Sequence, residues 1–219
     1  VGTNHLTDNN TVTSTTGVSE TNSSAERAAD FEASNSESLS ITNASQSGLA
    51  VTGDFSYFVW IKPEDVTGDF ELFSKTAGGS NRSWRFMMND ATPDVLRMAI
   101  SSNGSDLTYL DGHVHNFAVG IWYHVGFTYD ASEGTVNLYV NGIQVINDTT
   151  MPTSIYDSTA VVSMGAHNAA SIYYDGLLQD AIFWEAVLSD AEVLTLYELY
   201  TVEPSTGTPS GLALLGVGN

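Results

Sequence analysis

The side chains able to do chemistry in this sequence are dominated by carboxylates: 26 Asp and Glu stand against 6 Lys and Arg. Glycoside hydrolysis with retention needs two carboxylates about 5 Å apart across the bond to be cut. On a strand that means two acids alternating on one face. No cluster of the E-x-D-x-x-E kind, which would set such acids side by side, is present. Glu64-Asp65 precedes a turn, Glu133 falls in a hairpin loop, and Glu185 follows Trp184 without an alternating acidic partner. Serine-hydrolase and phosphate-loop motifs are absent as well. The chain is therefore not expected to be an enzyme, and a glycoside hydrolase stays a distant alternative.

Imidazoles offer less. His113-Val114-His115 puts two rings on one face of an extended segment. With Asp111 they would begin a transition-metal site, but such sites need a complete ligand set and a solvated loop is the plainer reading. His124 stands alone among aromatic residues, which marks a packing side chain. Aromatic rings beside neutral polar groups are better material. Sugars stack on exposed rings, and amides and hydroxyls bond their hydroxyl groups. Trp84, Tyr109, Tyr173 and Tyr174 form the expected ligand-contacting set, with Asn81, Arg82, Asn103 and Asn168 nearby in the sequence. Of the neighbours Tyr173 and Tyr174, one ring must face away from the other on a strand.

The partners of this chemistry are limited by composition. A net charge of −20 repels phosphate backbones and anionic bilayers, so neither nucleic acid nor a membrane surface is an expected partner. The same charge suits calcium, a hard cation that takes carboxylate and carbonyl oxygens. The absence of cysteine excludes disulfides, thiolate metal sites and Cys nucleophiles. No apolar run reaches the length of a membrane span, and no signal-peptide pattern is present. The 219 residues, 42% of them apolar, are enough for one large β-sandwich.

The elements that must position these residues read as strands. Phe55 to Pro63 is nearly continuous in apolar residues, which suits a strand covered on both faces, and Pro63 ends it. Phe70–Lys75, Trp84–Met88, Val95–Ile100 and Ala160–Gly165 follow the same grammar, with Gly78-Gly79 and Asn103-Gly104 as turns. Ile121–Asp130 and Gly134–Val140 alternate large with small or polar residues, and Asn141-Gly142 closes the second run with the dipeptide of a tight hairpin turn. Ser189-Asp190-Ala191-Glu192 is a capping box, and Val193, Leu196, Tyr197 and Tyr200 continue it at helical spacing. The polar segment 1–24 reads by itself as an arm. Residues 1–203 form one expected domain. Residues 204–219 are a Ser/Thr/Gly/Pro linker and an apolar tail, read either as a last strand or as an element that docks on a neighbouring subunit.

The wording of these strands resembles one family. Trp122-Tyr123-His124-Val125 with Thr128-Tyr129-Asp130, then Leu138-Tyr139-Val140-Asn141-Gly142, is similar to the signature of laminin-G-like, concanavalin A-like jelly rolls. Ala28–Ile41, Gly176–Trp184 and Val187-Leu188-Ser189 resemble its early strands, closing strand and helix start. The resemblance implies an all-β antiparallel sandwich of two sheets with one short C-terminal helix. It makes Leu6 and Val12 buried positions of an early strand and turn, and gives His124 a structural role. It further implies a structural calcium near the first long strand and the closing strand, where Asp30, Glu32 and Asp180 match. The functional expectation is a recognition or adhesion module on an extracellular or virion surface that binds glycan. The alternative is a capsid-decoration or fibre subunit whose partners are other protein subunits, including copies of itself joined through the C-terminal tail.

Overall fold

The computed structural model describes residues 4–17, 27–89, 95–110, 112–114 and 116–201. In chain order the strands are β1 (Thr7–Asn9), β2 (Thr13–Thr16), β3 (Arg27–Phe31), β4 (Ser38–Ile41), β5 (Phe55–Pro63), β6 (Phe70–Thr76), β7 (Arg82–Asn89) and β8 (Val95–Ile100). They continue with β9 (Thr108–Tyr109), β10 (His113–Val114), β11 (Tyr123–Asp130), β12 (Thr135–Val140), β13 (Ile143–Asp148), β14 (Val162–Met164) and β15 (Gly176–Trp184). One helix, α1 (Asp190–Thr201), closes the described chain.

Every named pairing is antiparallel, and the strands form two layers. An eight-stranded sheet runs β1-β4-β14-β6-β7-β8-β10, with β9 also on β8. A seven-stranded sheet runs β13-β12-β11-β5-β15-β3-β2. This is the all-β sandwich that the strand pattern predicts.

Alternation along each strand separates an inner from an outer face. Tyr57, Val59 and Ile61 of β5 meet Phe73, Phe86, Met98, Val125 and Phe127 in one interior. Tyr57 and Phe73 lie flat against each other at 4.3 Å, while Phe55 meets Phe127 edge-on at 5.0 Å. Leu6 and Val12 pack against this core from the polar first segment, as the resemblance implies. The outer face of β5 is covered too. Phe58 packs with Tyr139 of β12 and Val193 of α1, and the Tyr197 ring stacks on Trp60 at 5.7 Å. Gly126 makes room for this second cluster, because a Cβ there would lie 2.2 Å from the Phe58 ring.

The local signals act as read. Asn141 and Gly142 both have positive φ, 51° and 75°, as a type I′ hairpin turn requires. The Ser189 N–H donates to the Glu192 carboxylate at 2.8 Å, and the Glu192 N–H donates back to Ser189 Oγ at 3.4 Å, completing the capping box. Tyr139 Oη donates to Asp190 at 2.7 Å and Tyr200 Oη to Asp180 at 2.5 Å, so the sheet holds the helix at both ends. Asp180 sits in a bulge of β15, with φ of 48°.

His124 is 3% exposed, stacked on Phe58 at 5.4 Å and tilted against Trp60 at 5.1 Å. Its Nδ1 has no hydrogen-bond partner among the described residues, and burial pushes its pKa down to about 4. The folded state thus favours the neutral ring. That stability is present above the ordinary value of 6.5 and is lost as pH falls towards 4. Urea unfolding of wild type and His124→Phe at pH 7 and pH 4 should therefore show the variant gaining up to about 3 kcal/mol relative to wild type in the acid. An unchanged difference at the two pH values would mean that the ring titrates normally.

Candidate functional site

The outer face of the eight-stranded sheet carries a cleft of about 380 Å³. Register puts Ser40, Ser163, Ser74, Arg85, Ala99 and Tyr109 in one row across that sheet. The small residues leave space, and Arg85 rises from the floor. The cleft is lined by Ala77 and Gly78 after β6, Arg82 and Arg85 of β7, Asp106 and Leu107 before β9, Tyr109 of β9, and His167 between β14 and β15.

Arg85 is fixed from below. Its Nε donates to both oxygens of Glu71 at 3.1 Å and its Nη2 to Oε2 at 2.6 Å. Its Nη1 donates to Tyr109 Oη at 3.2 Å. Glu71 is fully buried, and burial pushes its carboxyl up while the Arg85 bonds oppose this. Removing either charge alone would leave the other stranded in the protein. Tyr109, 44% exposed, thus presents a ring whose hydroxyl is anchored. The loop before β9 is ordered by Asn103, whose Oδ1 accepts from the backbone N–H groups of Ser105 and Asp106 at 2.8 and 2.9 Å. Arg82 Nη1 donates to the Ser105 carbonyl, tying β7 to the same loop. Burial, then Arg85 and Arg82, push the His167 pKa down to about 4, so its ring is neutral at neutral pH.

A second cluster lies on the outer face of the other sheet. Asp30 of β3 pairs with Leu177 of β15, which pairs with Lys62 of β5. One step beyond the ends of these strands, the Glu64 N–H donates to the Asp175 carbonyl at 3.0 Å. Asp30, Glu32 and Glu64 consequently converge, with carboxylate oxygens within 4.8 Å of one another. Asp175 is held beside them by the Ala33 N–H at 2.9 Å. Partial burial, then Asp175, Asp30 and Glu37, raise the Glu32 carboxyl above its usual range. Burial, then Asp30, Glu32 and Asp175, do the same to Glu64 against the opposing pull of Lys62. The Asp30 Oδ1 atom is buried without a hydrogen-bond partner among the described residues. A set of crowded hard oxygens with one unsatisfied buried acceptor fits the calcium that the fold resemblance implies.

The residues expected from sequence are distributed unevenly between these places. Tyr109 lies in the cleft. Trp84 and Tyr174 are fully buried in the sandwich interior, against Phe73 and Phe31 respectively, so neither offers a ring face to a sugar. Tyr173 is half-buried and outside the cleft. Asp30 and Glu32 come together as expected, but Asp180 does not join them. Its carboxylate accepts from Tyr200 and from Gln179 Nε2, and Glu64 takes the third position. Asp111, the His115 ring and the His113 ring lie outside what the structure describes, as does the tail from residue 202. Glu71, Arg85 and His167 escaped the sequence reading. The available signal was the lone acid in Phe70-Glu71-Leu72-Phe73, an otherwise apolar strand that requires a buried countercharge.

The sequence matches the profile of the concanavalin A-like lectin/glucanases superfamily, in its laminin-G type, over residues 33–194. The chain belongs to that superfamily. Among solved structures, this concanavalin A-like chain is similar to domain 4 of AbnA, an extracellular arabinanase of Geobacillus stearothermophilus, in complex with arabinotriose. Identity is 20%, coverage 88% of this chain and 87% of that one, and the TM-score 0.64. The CBM40 domain of the Ruminococcus gnavus IT-sialidase, bound to α2,3-sialyllactose, shares 14% identity over 73% of this chain and 92% of its own, with a TM-score of 0.59. The binding domain of botulinum neurotoxin serotype G shares 13% identity over 90% of this chain and 47% of its own, with a TM-score of 0.64. No curated protein matches the sequence. At these identities the likeness establishes the shared fold.

The buried pair beneath the cleft gives a direct test. Arg85→Ala should destabilise the domain by roughly 3–5 kcal/mol in urea unfolding, because Glu71 is left unpaired in the interior. The double variant Glu71→Leu/Arg85→Met should recover most of that loss. Equal destabilisation by both would show that packing, and not the stranded charge, carries the effect.

Proposed function

We propose that this chain is a non-catalytic glycan-binding module acting outside the cell, with the sugar seated in the cleft on the outer face of the eight-stranded sheet. The observation that carries this reading is the anchored, half-exposed Tyr109 ring set among Arg82, Arg85, Asp106 and His167 in a preformed space. An aromatic platform with convergent polar groups is the usual composition of a sugar site. The carboxylates at hand do not form a hydrolytic pair. Glu71 is engaged under the floor by Arg85, and Asp106 on the rim accepts from Asn103 Nδ2 at 3.0 Å. The arabinotriose and sialyllactose complexes of fold relatives, and the extracellular arabinanase among them, support the same assignment.

Calcium belongs to this reading as a structural ion. Asp30, Glu32 and Glu64 would hold it, and its charge would relieve the mutual repulsion that raises two of those carboxyls. The ion then fastens the ends of β3 and β5 on either side of β15 and does no chemistry in the cleft.

Two measurements check these assignments. In a glycan array followed by calorimetry, a saturably bound oligosaccharide should lose about tenfold or more in affinity on Tyr109→Ala, an anchoring contact worth at least ~1.4 kcal/mol. Release of sugar fragments would overturn the non-catalytic reading, and a stable assembly without sugar affinity would favour a structural subunit instead. Excess chelator should lower the melting temperature by about 5–10 °C in wild type and leave Glu64→Gln nearly unchanged, as expected when an ion binds only the folded state. Identical melting with and without chelator would remove the ion from the structure.

A further inference from the structure

Cations are scarce in this chain, and their placement is uneven. Of its six Lys and Arg, Lys75, Arg82, Arg85 and Arg97 all fall on the adjacent strands β6, β7 and β8. Arg82 and Arg85 face the cleft. Arg85 has its countercharge in Glu71, the one ion pair among the described residues. Arg82 has none. Its guanidinium donates to a neutral carbonyl, that of Ser105, and keeps the rest of its donor fork available. Among the described residues Arg82 thus lines the cavity without an ion pair, and Asp106 is the one acid in the same lining.

We propose that the sugar unit recognised in this cleft is acidic, and that Arg82 takes its carboxylate. The inference rests on the reading of the cleft as a glycan site and narrows it to a substrate class, the uronic or sialic acids. A planar guanidinium fork matches a planar carboxylate with two parallel hydrogen bonds. The anchored Tyr109 ring lies on the same cleft wall to receive the apolar face of the sugar. His167, kept neutral by burial and then by the two arginines, supplies a donor or acceptor in the same lining. Asp106 is the opposing charge on the rim, where it disfavours a second anionic group. A cleft of about 380 Å³ has room for a monosaccharide or a disaccharide, so one acidic residue within a longer glycan would fill it.

The test uses matched pairs: sialyllactose against lactose, and glucuronate-terminated against glucose-terminated oligosaccharides, titrated calorimetrically into the full chain. The acidic member of at least one pair should bind about tenfold or more tightly, the gain expected of one charge-assisted bidentate contact. Arg82→Gln should erase that preference in a variant that still melts cooperatively. Arg82→Lys, which keeps the charge without the fork, should restore only part of it. Equal affinity for acidic and neutral members would overturn the acidic-sugar inference and leave the glycan reading standing. Failure of every member to bind would overturn both. A preference that survives Arg82→Gln would remove Arg82 from its role.

Discussion

Strand β5 is buried on both faces, and the rest of the molecule is arranged around that fact. Its odd-numbered side chains from Phe55 to Ile61 enter the space between the sheets, while Phe58 and Trp60 project the other way into a seam closed by α1. Neither set can reach water, so the strand has one register in which both are satisfied. That register passes to β11 on one side and β15 on the other. It places His124 opposite Trp60, sets Gly126 beneath the Phe58 ring, and brings the ends of β3, β5 and β15 level. The acidic cluster is a product of that alignment, because Glu32 and Glu64 are brought together only across the intervening strand.

The architecture was legible because its signals are local. Alternation identified the long strands, Asn141-Gly142 the hairpin, and Ser189 with Glu192 the helix start. The short first strands were different: β1, with the turn up to Val12, was legible only through family resemblance, and the all-Ser/Thr β2 carries no apolar alternation to mark it as a strand. Sites were less legible, because a site depends on which face of a strand a residue occupies and on what pairs with it. Trp84 looked like a sugar platform and is instead an interior ring, opposite Lys75 and Ile100 across its two neighbours. Tyr109 shares the polar sequence context of Trp84 but lies on a two-residue strand near the sheet margin, where its ring stays partly in solvent. Glu64 was visible as an acid before a turn, yet its companions Asp30 and Glu32 lie more than thirty residues earlier in the chain. Periodicity cannot carry information over that distance.

The two outer faces are electrostatically distinct. Carboxylates crowd the end of the seven-stranded sheet, where burial and then their mutual repulsion raise the Glu32 and Glu64 carboxyls. The eight-stranded sheet gathers most of the chain's positive charge, with two arginines lining the cavity, one of them paired with the buried Glu71. With carboxylates in large excess over the whole sequence, this small region is one where a negative group meets less resistance. A calcium at one face and a sugar at the other would thus act independently, the first on the cohesion of the scaffold and the second on recognition.

The bulge in β15 governs more than the local path of the strand. From Gln179, opposite Trp60, to Ile182, opposite Phe58, the chain takes three steps while β5 takes two. The added step reverses the phase of everything downstream. Before it, Leu178 points into the sandwich. After it, Phe183 does so, meeting Phe55, Phe73 and Trp84, while Trp184 turns outward to the helix seam. Were that step missing, the second half of the closing strand would be inside out, with the indole in the core and the phenyl ring under the helix. The positive φ of Asp180 thus acts as a frame-setting device: it lets a single continuous strand serve two interiors whose spacing would otherwise be out of step.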